Sequence, residues 1–408
     1  MQKIVFGFIC ILLFFQVKAQ TFTIKKTIQP FYDIIEWKGM GGILMSKDPN
    51  GNSNQIYLTL VGEKDKSIWD QQIAPPNGKF HYISSENARY VYFLRNLNPE
   101  NGKIYFDQLN SAGNVKNTSV SIASVIKNLG YDVSELELKN VVVTDKALVH
   151  QFRHINKKDK IQTEIATFIT HHNLIPYAVV LGKVKEDEIK AGKSNSFQYI
   201  GFSGDEICFA DYTHANTSKG WNVIVFNSKG QEQKRVFLKN TWGNLTTFNV
   251  VGFGTTGAFY LNTLNDVQQG LLTYINNQFY MTFMNSSSSE NSLELYKLEE
   301  ESWKKINNFS FQNSNQKKGF SIGIYPLNEA ITYSITGISN DKKTVALPID
   351  GSKAIVNNYT NSIIFNPSRT IISDKKEFFA VTLQTGNLFF DKNQLKTVTD
   401  VEFEFIKK

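Results

Sequence analysis

The chain has 408 residues, 44 Lys and Arg against 37 Asp and Glu, two cysteines and a hydrophobic share of 41%. That length exceeds what one hydrophobic core usually serves, so a layered, repeated or multi-domain body is expected. The composition excludes wholesale disorder and coiled coil, and two cysteines exclude a disulfide-knotted scaffold or a cysteine-clustered metal site. The 31 Phe and 17 Tyr favour pleated sheet, whose surface suits such side chains.

Residues 1–19 read as a secretory signal peptide. Lys3 supplies the charged start, Ile4 to Phe15 form the apolar stretch, and Val17-Lys18-Ala19 is the small-residue cleavage pattern before Gln20. Gln16 and Lys18 close the apolar run too early for a membrane span, and Cys10 lies inside it, where it cannot serve as a lipid anchor. The expected location is therefore secreted or periplasmic, with no transmembrane helix in the mature chain. Lysine and asparagine outweigh arginine, which points to an AT-rich bacterial genome. In that setting the Asn-x-Ser/Thr triplets at Asn117, Asn216, Asn244, Asn285, Asn308 and Asn358 are turn composition.

Along the remaining chain one unit recurs: an apolar pair, a polar turn, then a second apolar or aromatic strand. It begins near residues 34, 82, 141, 199, 250, 322 and 371, at spacings of 48 to 72 residues. Ile34-Ile35 leads to Ile43-Leu44-Met45, and Tyr82-Ile83 to Tyr90–Phe93. Val141-Val142-Val143 leads to Ala147–Phe152, and Tyr199–Phe202 to Ile207-Cys208-Phe209. Val250–Phe253, Ile322-Gly323-Ile324 and Ile371-Ile372 open the last three units. The widest gap precedes the sixth unit, and Leu271–Ile306 can form a further unit there. Ser124–Leu129 reads as one helical turn, and the mixed-charge Lys183–Gly192 as a solvated loop or short helix.

Each unit has room for about four short strands. A four-stranded sheet cannot bury two apolar faces alone, so neighbouring units must stack. The pattern resembles a β-propeller of the long-blade kind over about 34–408. It differs from the WD type, because no Gly-His and Trp-Asp pair recurs. The resemblance implies an all-β fold of about seven four-stranded blades, between six and eight, in a single domain over 20–408. It also implies closure by the chain ends. Phe22–Ile28 is strand-like and would join the last blade near Val401–Ile406.

Four of the six histidines, His150, His154, His171 and His172, lie within 23 residues. If Ala147–Ile155 and Ile161–Thr170 are antiparallel strands, His154 sits at one end and His171 and His172 at the other, roughly 25 Å away. A shared metal is not expected, and these histidines should be exposed or hydrogen-bonded at strand ends. Cys208, flanked by apolar residues, reads as a small buried hydrophobe. Gly201-Phe202-Ser203-Gly204-Asp205 lacks the final glycine and the following helix of a nucleophile elbow. Ser124-x-x-Lys127 has no partner motif, and Asp48–Asn54 lacks the sixth-position glycine and twelfth-position glutamate of a calcium loop.

No catalytic, cofactor-binding or metal-binding residue is assigned, and no cofactor. Scattered lysines and the small net charge argue against nucleic acid. The expected role is a non-catalytic binding scaffold for an unknown protein, peptide or glycan ligand. The rivals are a propeller-type polysaccharide hydrolase or lyase, because loop carboxylates can meet across the axis without a sequence trace, and an outer-membrane β-barrel. N-terminal sequencing of the exported product should begin at Gln20; an intact Met1 would overturn the reading of 1–19.

Overall fold

The structure is a computed structural model that describes residues 20–24, 31–37, 40–47, 56–62, 67–73, 81–84, 90–96, 99–190, 197–213, 219–242, 246–247, 261–262, 268–286, 291–311, 321–326, 330–336, 342–359, 370–373, 376–382, 386–391 and 401–407. The signal-peptide segment and Asp48–Asn54 lie outside these residues.

Nearly all the described elements are strands, and they assemble into antiparallel meanders of four. Unit one holds β2 (Phe31–Trp37), β3 (Gly41–Lys47), β4 (Ile56–Val61) and β5 (Ser67–Ile73). Unit two holds β6 (His81–Ser84), β7 (Tyr90–Leu94), β8 (Lys103–Asn110) and β9 (Val115–Ser121). Unit three holds β10 (Leu136–Val143), β11 (Ala147–Asn156), β12 (Ile161–Thr170) and β13 (Pro176–Lys185). Unit four holds β14 (Gln198–Ser203), β15 (Glu206–Thr213), β16 (Gly220–Phe226) and β17 (Glu232–Lys239). Two-residue strands β18 (Thr246–Thr247) and β19 (Leu261–Asn262) follow. Unit five holds β20 (Gln268–Ile275), β21 (Gln278–Ser286), β22 (Asn291–Glu299) and β23 (Ser302–Phe311). Unit six holds β24 (Ser321–Pro326), β25 (Ala330–Thr336), β26 (Lys342–Pro348) and β27 (Ile355–Tyr359). The last unit holds β28 (Thr370–Ser373), β29 (Lys376–Thr382), β30 (Gly386–Asp391) and β31 (Val401–Lys407).

Two short helices lie in the links, α1 (Ala123–Asn128) before unit three and α2 (Glu186–Lys190) after it. These occupy the segments expected to be a helical turn and a short helix. The unit expected from Val250 is not described there, since residues 248–260 lie outside the described residues. The fifth meander instead occupies 268–311, within the widest gap, where Leu271–Ile306 offered four strands. The described strands fall into six sheets, in one of which β14 and β20 join units four and five and β18 branches from β20. No helix among the described residues is long and apolar enough to cross a membrane.

Both faces of the central units are buried, and the two-residue period of the strand assigns alternate side chains to opposite neighbours. In unit three, Val141, Val143, Leu148, Phe152, Ile165 and Ile169 pack with Tyr92, Leu94, Ile104 and Phe106 of unit two. The intervening Val142, Ala147, Val149, Ala166 and Phe168 pack with Ile207, Phe209, Ile224 and Phe226 of unit four. Unit four repeats the division: Cys208, Ala210, Tyr212, Trp221 and Val223 meet Leu272, Tyr274, Met281 and Phe283 of unit five. Similar clusters join units one and two and units five and six. Tyr92, Phe152 and Phe209, one ring from the second strand of each of units two, three and four, are fully buried there.

The first strands of adjacent units approach one another. β14 and β20 run parallel and pair at Gly201 and Tyr274. Gly201 has φ of +142°, and a Cβ there would stand 2.0 Å from the Tyr274 carbonyl oxygen, so only glycine permits this approach. At the chain ends, β1 (Gln20–Ile24) pairs antiparallel with β31, with Phe22 opposite Phe403 and Ile24 opposite Val401. The segment expected to pair is Phe22–Ile28; the pairing with the last strand covers Phe22–Ile24 of it, and residues 25–28 lie outside the described residues. β29 also lies beside β2 and β3 of unit one.

Phe152 is buried between two sheets that cannot collapse independently. Phe152→Ala is therefore expected to cost about 3–5 kcal/mol in urea unfolding at neutral pH; a loss below about 1 kcal/mol would show a yielding interface.

Candidate functional site

The residues singled out from the sequence are dispersed. β11 and β12 are antiparallel as expected, with His154 opposite Thr163 near their hairpin and His171 just beyond the other end of β12. His154 contacts the Glu135 carboxylate at 3.3 Å and the edge of the Tyr131 ring. His172 is exposed. His150 departs from the strand-end expectation: it lies mid-strand opposite Thr167, fully buried, with neither nitrogen hydrogen-bonded among the described residues. The strand register puts it on the same face as Leu148 and Phe152, so it enters the core with them.

Gly201–Asp205 ends one strand and turns directly into the next. Asp205 accepts the Ser228 N–H at 3.0 Å and so ties two turns together. Ser124 and Lys127 lie on α1. Cys208 is buried, and burial pushes its thiol up, away from the nucleophilic thiolate. No group of three or more His, Cys, Asp or Glu able to hold a metal occurs among the described residues.

Two clusters, one polar and one aromatic, flank one end of unit four, the end where β15 stops at Thr213 and β16 begins at Gly220. On the side toward unit three, the strand period presents Asp211, Asn222 and Arg235. Unit three turns Asn140, Gln151, Arg153, Gln162 and Glu164 toward the same seam. The Glu164 carboxylate, 1% exposed, accepts from Arg153 Nε at 3.0 Å, Gln162 Nε2 at 2.7 Å and Gln151 Nε2 at 3.3 Å. Gln151 also donates to the Phe197 carbonyl at 2.6 Å, and so links unit three to the strand entering unit four. The Phe197 ring lies where a Cβ on Gly182 would be, 2.3 Å from that position.

Burial raises the pKa of both Glu164 and Asp211 despite these donors, because a carboxylate loses more hydration than its neighbours replace. Glu164 is raised against the opposing pull of Arg153, and Asp211 is pushed up to about 6 against its bond from Asn222. Asp211 Oδ1 and Asn140 Oδ1 have no hydrogen-bond partner among the described residues. On unit two, Asp107 is likewise buried and held by the Arg95 guanidinium through bonds of 2.9 to 3.2 Å.

On the other side of unit four the cluster is aromatic. Trp242 stacks on Phe283 at 5.8 Å and meets Tyr296 at 5.1 Å and Trp303 at 5.4 Å. Trp221 joins Tyr212 at 4.8 Å and Trp303 at 6.5 Å. Polar tips are satisfied locally: Asn240 Nδ2 donates to the Tyr212 hydroxyl, the Tyr296 hydroxyl to Glu294, and Lys305 Nζ to the same carboxylate. The Tyr274 hydroxyl donates to Glu206 across the same pair of units.

These groups make a rigid end on unit four, polar on one flank and aromatic on the other. The sequence reading missed both. The available signal was parity: Gln151 and Arg153, then Gln162 and Glu164, interrupt apolar runs at alternate positions on consecutive strands. The tryptophans left no such signal, because three separate strands or links bring them together.

No family model matches the sequence, and no curated protein matches it. Among solved structures, a post-proline cleaving enzyme from Rickettsia typhi aligns with a TM-score of 0.40 and 9% identity, covering 89% of this chain and 49% of that one. The Pyrococcus horikoshii acylaminoacyl peptidase aligns with a TM-score of 0.40 and 9% identity, covering 90% and 52%. SapL1 lectin, solved with alpha methyl fucoside, aligns with a TM-score of 0.32 and 10% identity, covering 76% and 91%. The chain thus spans about half the length of the two peptidases. At these scores the likenesses decide neither activity nor ligand.

Asp211 binds its proton more tightly in the fold than in the unfolded chain. Its ionisation therefore costs stability in full above pH 6 and nothing below the ordinary carboxylate value of 3.8. Asp211→Asn is expected to stabilise the protein by up to about 3 kcal/mol at pH 7.5, with the gain vanishing near pH 4. Urea titrations at both pH values check this, and an equal effect at both would exclude the cause given.

Proposed function

We propose that residues 20–408 form a closed propeller of seven four-stranded blades, exported after loss of 1–19, which serves as a non-catalytic binding scaffold for a protein, peptide or glycan. Ring closure is supported by β1 pairing with β31 and by β29 lying beside unit one. The parallel approach of β14 to β20 supports first strands that line the axis, since first strands of neighbouring blades run in the same direction there.

The observation that carries the binding reading is how the buried ion pairs are used. Asp107 and Glu164 are each neutralised by an arginine of the adjacent strand in the same unit, Arg95 and Arg153. Charge held this way fastens strands together and is not poised as an acid and base about a bond to be cleaved. Rigid units with variable connections make a platform whose specificity resides in its loops.

The discriminating experiment incubates the purified mature chain with a panel of extracellular polysaccharides and a displayed peptide library. Retention and the release of reducing ends or unsaturated sugars are measured together. Retention without product is the expected result. Turnover that scales with protein concentration would replace the scaffold with a hydrolase or lyase.

A further inference from the structure

The seam between units two and three differs from the others described in carrying two buried histidines. His171, in the turn after β12, reaches across to unit two. Its Nε2 lies 2.8 Å from the Thr144 carbonyl oxygen, which can only accept, so Nε2 bears the proton. Nδ1 is then a lone pair, and the Tyr92 hydroxyl at 2.5 Å donates to it. Gln108 Nε2 completes the chain, donating to the Tyr92 oxygen at 2.9 Å and to the His171 carbonyl at 3.1 Å. Burial pushes the Tyr92 hydroxyl up, which keeps the donating proton in place.

Every bond in this chain has a fixed direction. A second proton on His171 sets an Nδ1–H against the Tyr92 O–H, donor against donor. The hydroxyl must then turn away in a site where Tyr92 is fully buried and the adjacent Gln108 nitrogen is also a donor. His150 sits deeper in the same seam, its ring parallel to Phe152 at 6.0 Å and opposite Thr167, whose Oγ1 is likewise without a partner among the described residues. Protonation there adds a charge and a second N–H donor to a ring whose nitrogens have no partner among the described residues.

Among the described residues no counter-charge faces the two rings. Tyr90 and Tyr92 face the seam from β7, and Lys146 lies beside His171. On the packed strands, the strand period turns Asp107 of β8 toward unit one and Glu164 of β12 toward unit four. Lys127 is the basic residue in the last turn of α1, and Asp132, Glu135 and His154 lie toward the β11–β12 hairpin end. Asp145, in the turn with Lys146, interacts with Tyr199 of unit four.

We propose that the seam between units two and three is an acid-sensitive latch, at which proton uptake by His171 and His150 parts these two units while the seam between units four and five stays closed. Burial holds the imidazoles down to about 4 and about 3, against 6.5 when free. The parted seam therefore takes up the protons. Stabilisation from the neutral rings is full above pH 6.5 and is lost as pH falls through those values. The seam between units three and four responds in the opposite sense, because Asp211 and Glu164 lose charge on protonation.

Hydrogen exchange on the full mature chain, corrected for intrinsic rates, tests this between pH 7 and pH 4. Amides of β7, β8, β10 and β11 should lose about tenfold or more protection relative to those of β21 and β22. His150→Leu, and separately His171→Gln, should each move that loss to lower pH. Uniform loss in all units, or an unchanged midpoint in both variants, would overturn the latch. If one variant does not fold, the other and the unit-by-unit comparison in the native protein still decide.

Discussion

Each central four-stranded unit has two apolar faces, and the packing of its neighbours follows from the need to cover both. A single meander leaves one face in water, at a cost of roughly 25 cal/mol for each Å² of apolar surface. Stacking one unit against the next removes that cost on one side and recreates it on the other. The chain resolves this by repetition, so Val142 serves one seam while Val141 and Val143 serve another. A strand read in this environment is almost continuously apolar, as Ala147–Val149 and Ile165–Ile169 are, and alternation appears only in which neighbour is touched.

The same stacking explains why some polar residues in the seams have such definite partners while others, such as Asp211 Oδ1 and Asn140 Oδ1, have none among the described residues. A group caught between two sheets has no water to turn to, so an acid such as Glu164 collects an arginine and two amides from its own unit. Where the seam is narrow and apolar, as around His150, nitrogen atoms remain without partners and the ring stays neutral. Seams built on one scaffold therefore differ in their response to protons. Carboxylates lose charge on acidification and imidazoles gain it, and the two types occupy opposite faces of unit three.

Unit four shows how local geometry makes adjacent seams chemically distinct. At the ends of β15 and β16, Asp211 and Asn222 point one way, Tyr212 and Trp221 the other. One residue of displacement along either strand would exchange the polar and aromatic flanks. Gly201 holds the first strand of that unit against the first strand of the next, where a side chain would strike backbone. The register of two strands and one glycine thus position the groups on both sides.

The sequence by itself determined the strand-rich class, the recurring unit, the extra unit within 271–306, the helical turn at Ser124–Leu129 and the pairing of the N-terminal strand with the last. The first four rest on local pattern, on period-two apolar runs and turn residues, which survive in a linear reading; the terminal pairing came from the resemblance to a propeller and not from any local signal. Tertiary structure alone decided which seam each alternate residue enters, and so made His150 a core residue and not a strand-end one. It also brought Trp221, Trp242 and Trp303 together across more than eighty residues of chain, and joined Tyr92 and Gln108 to His171. Those contacts depend on how two sheets stack. Stacking is set by the summed burial of whole faces, a quantity that no short window of sequence contains.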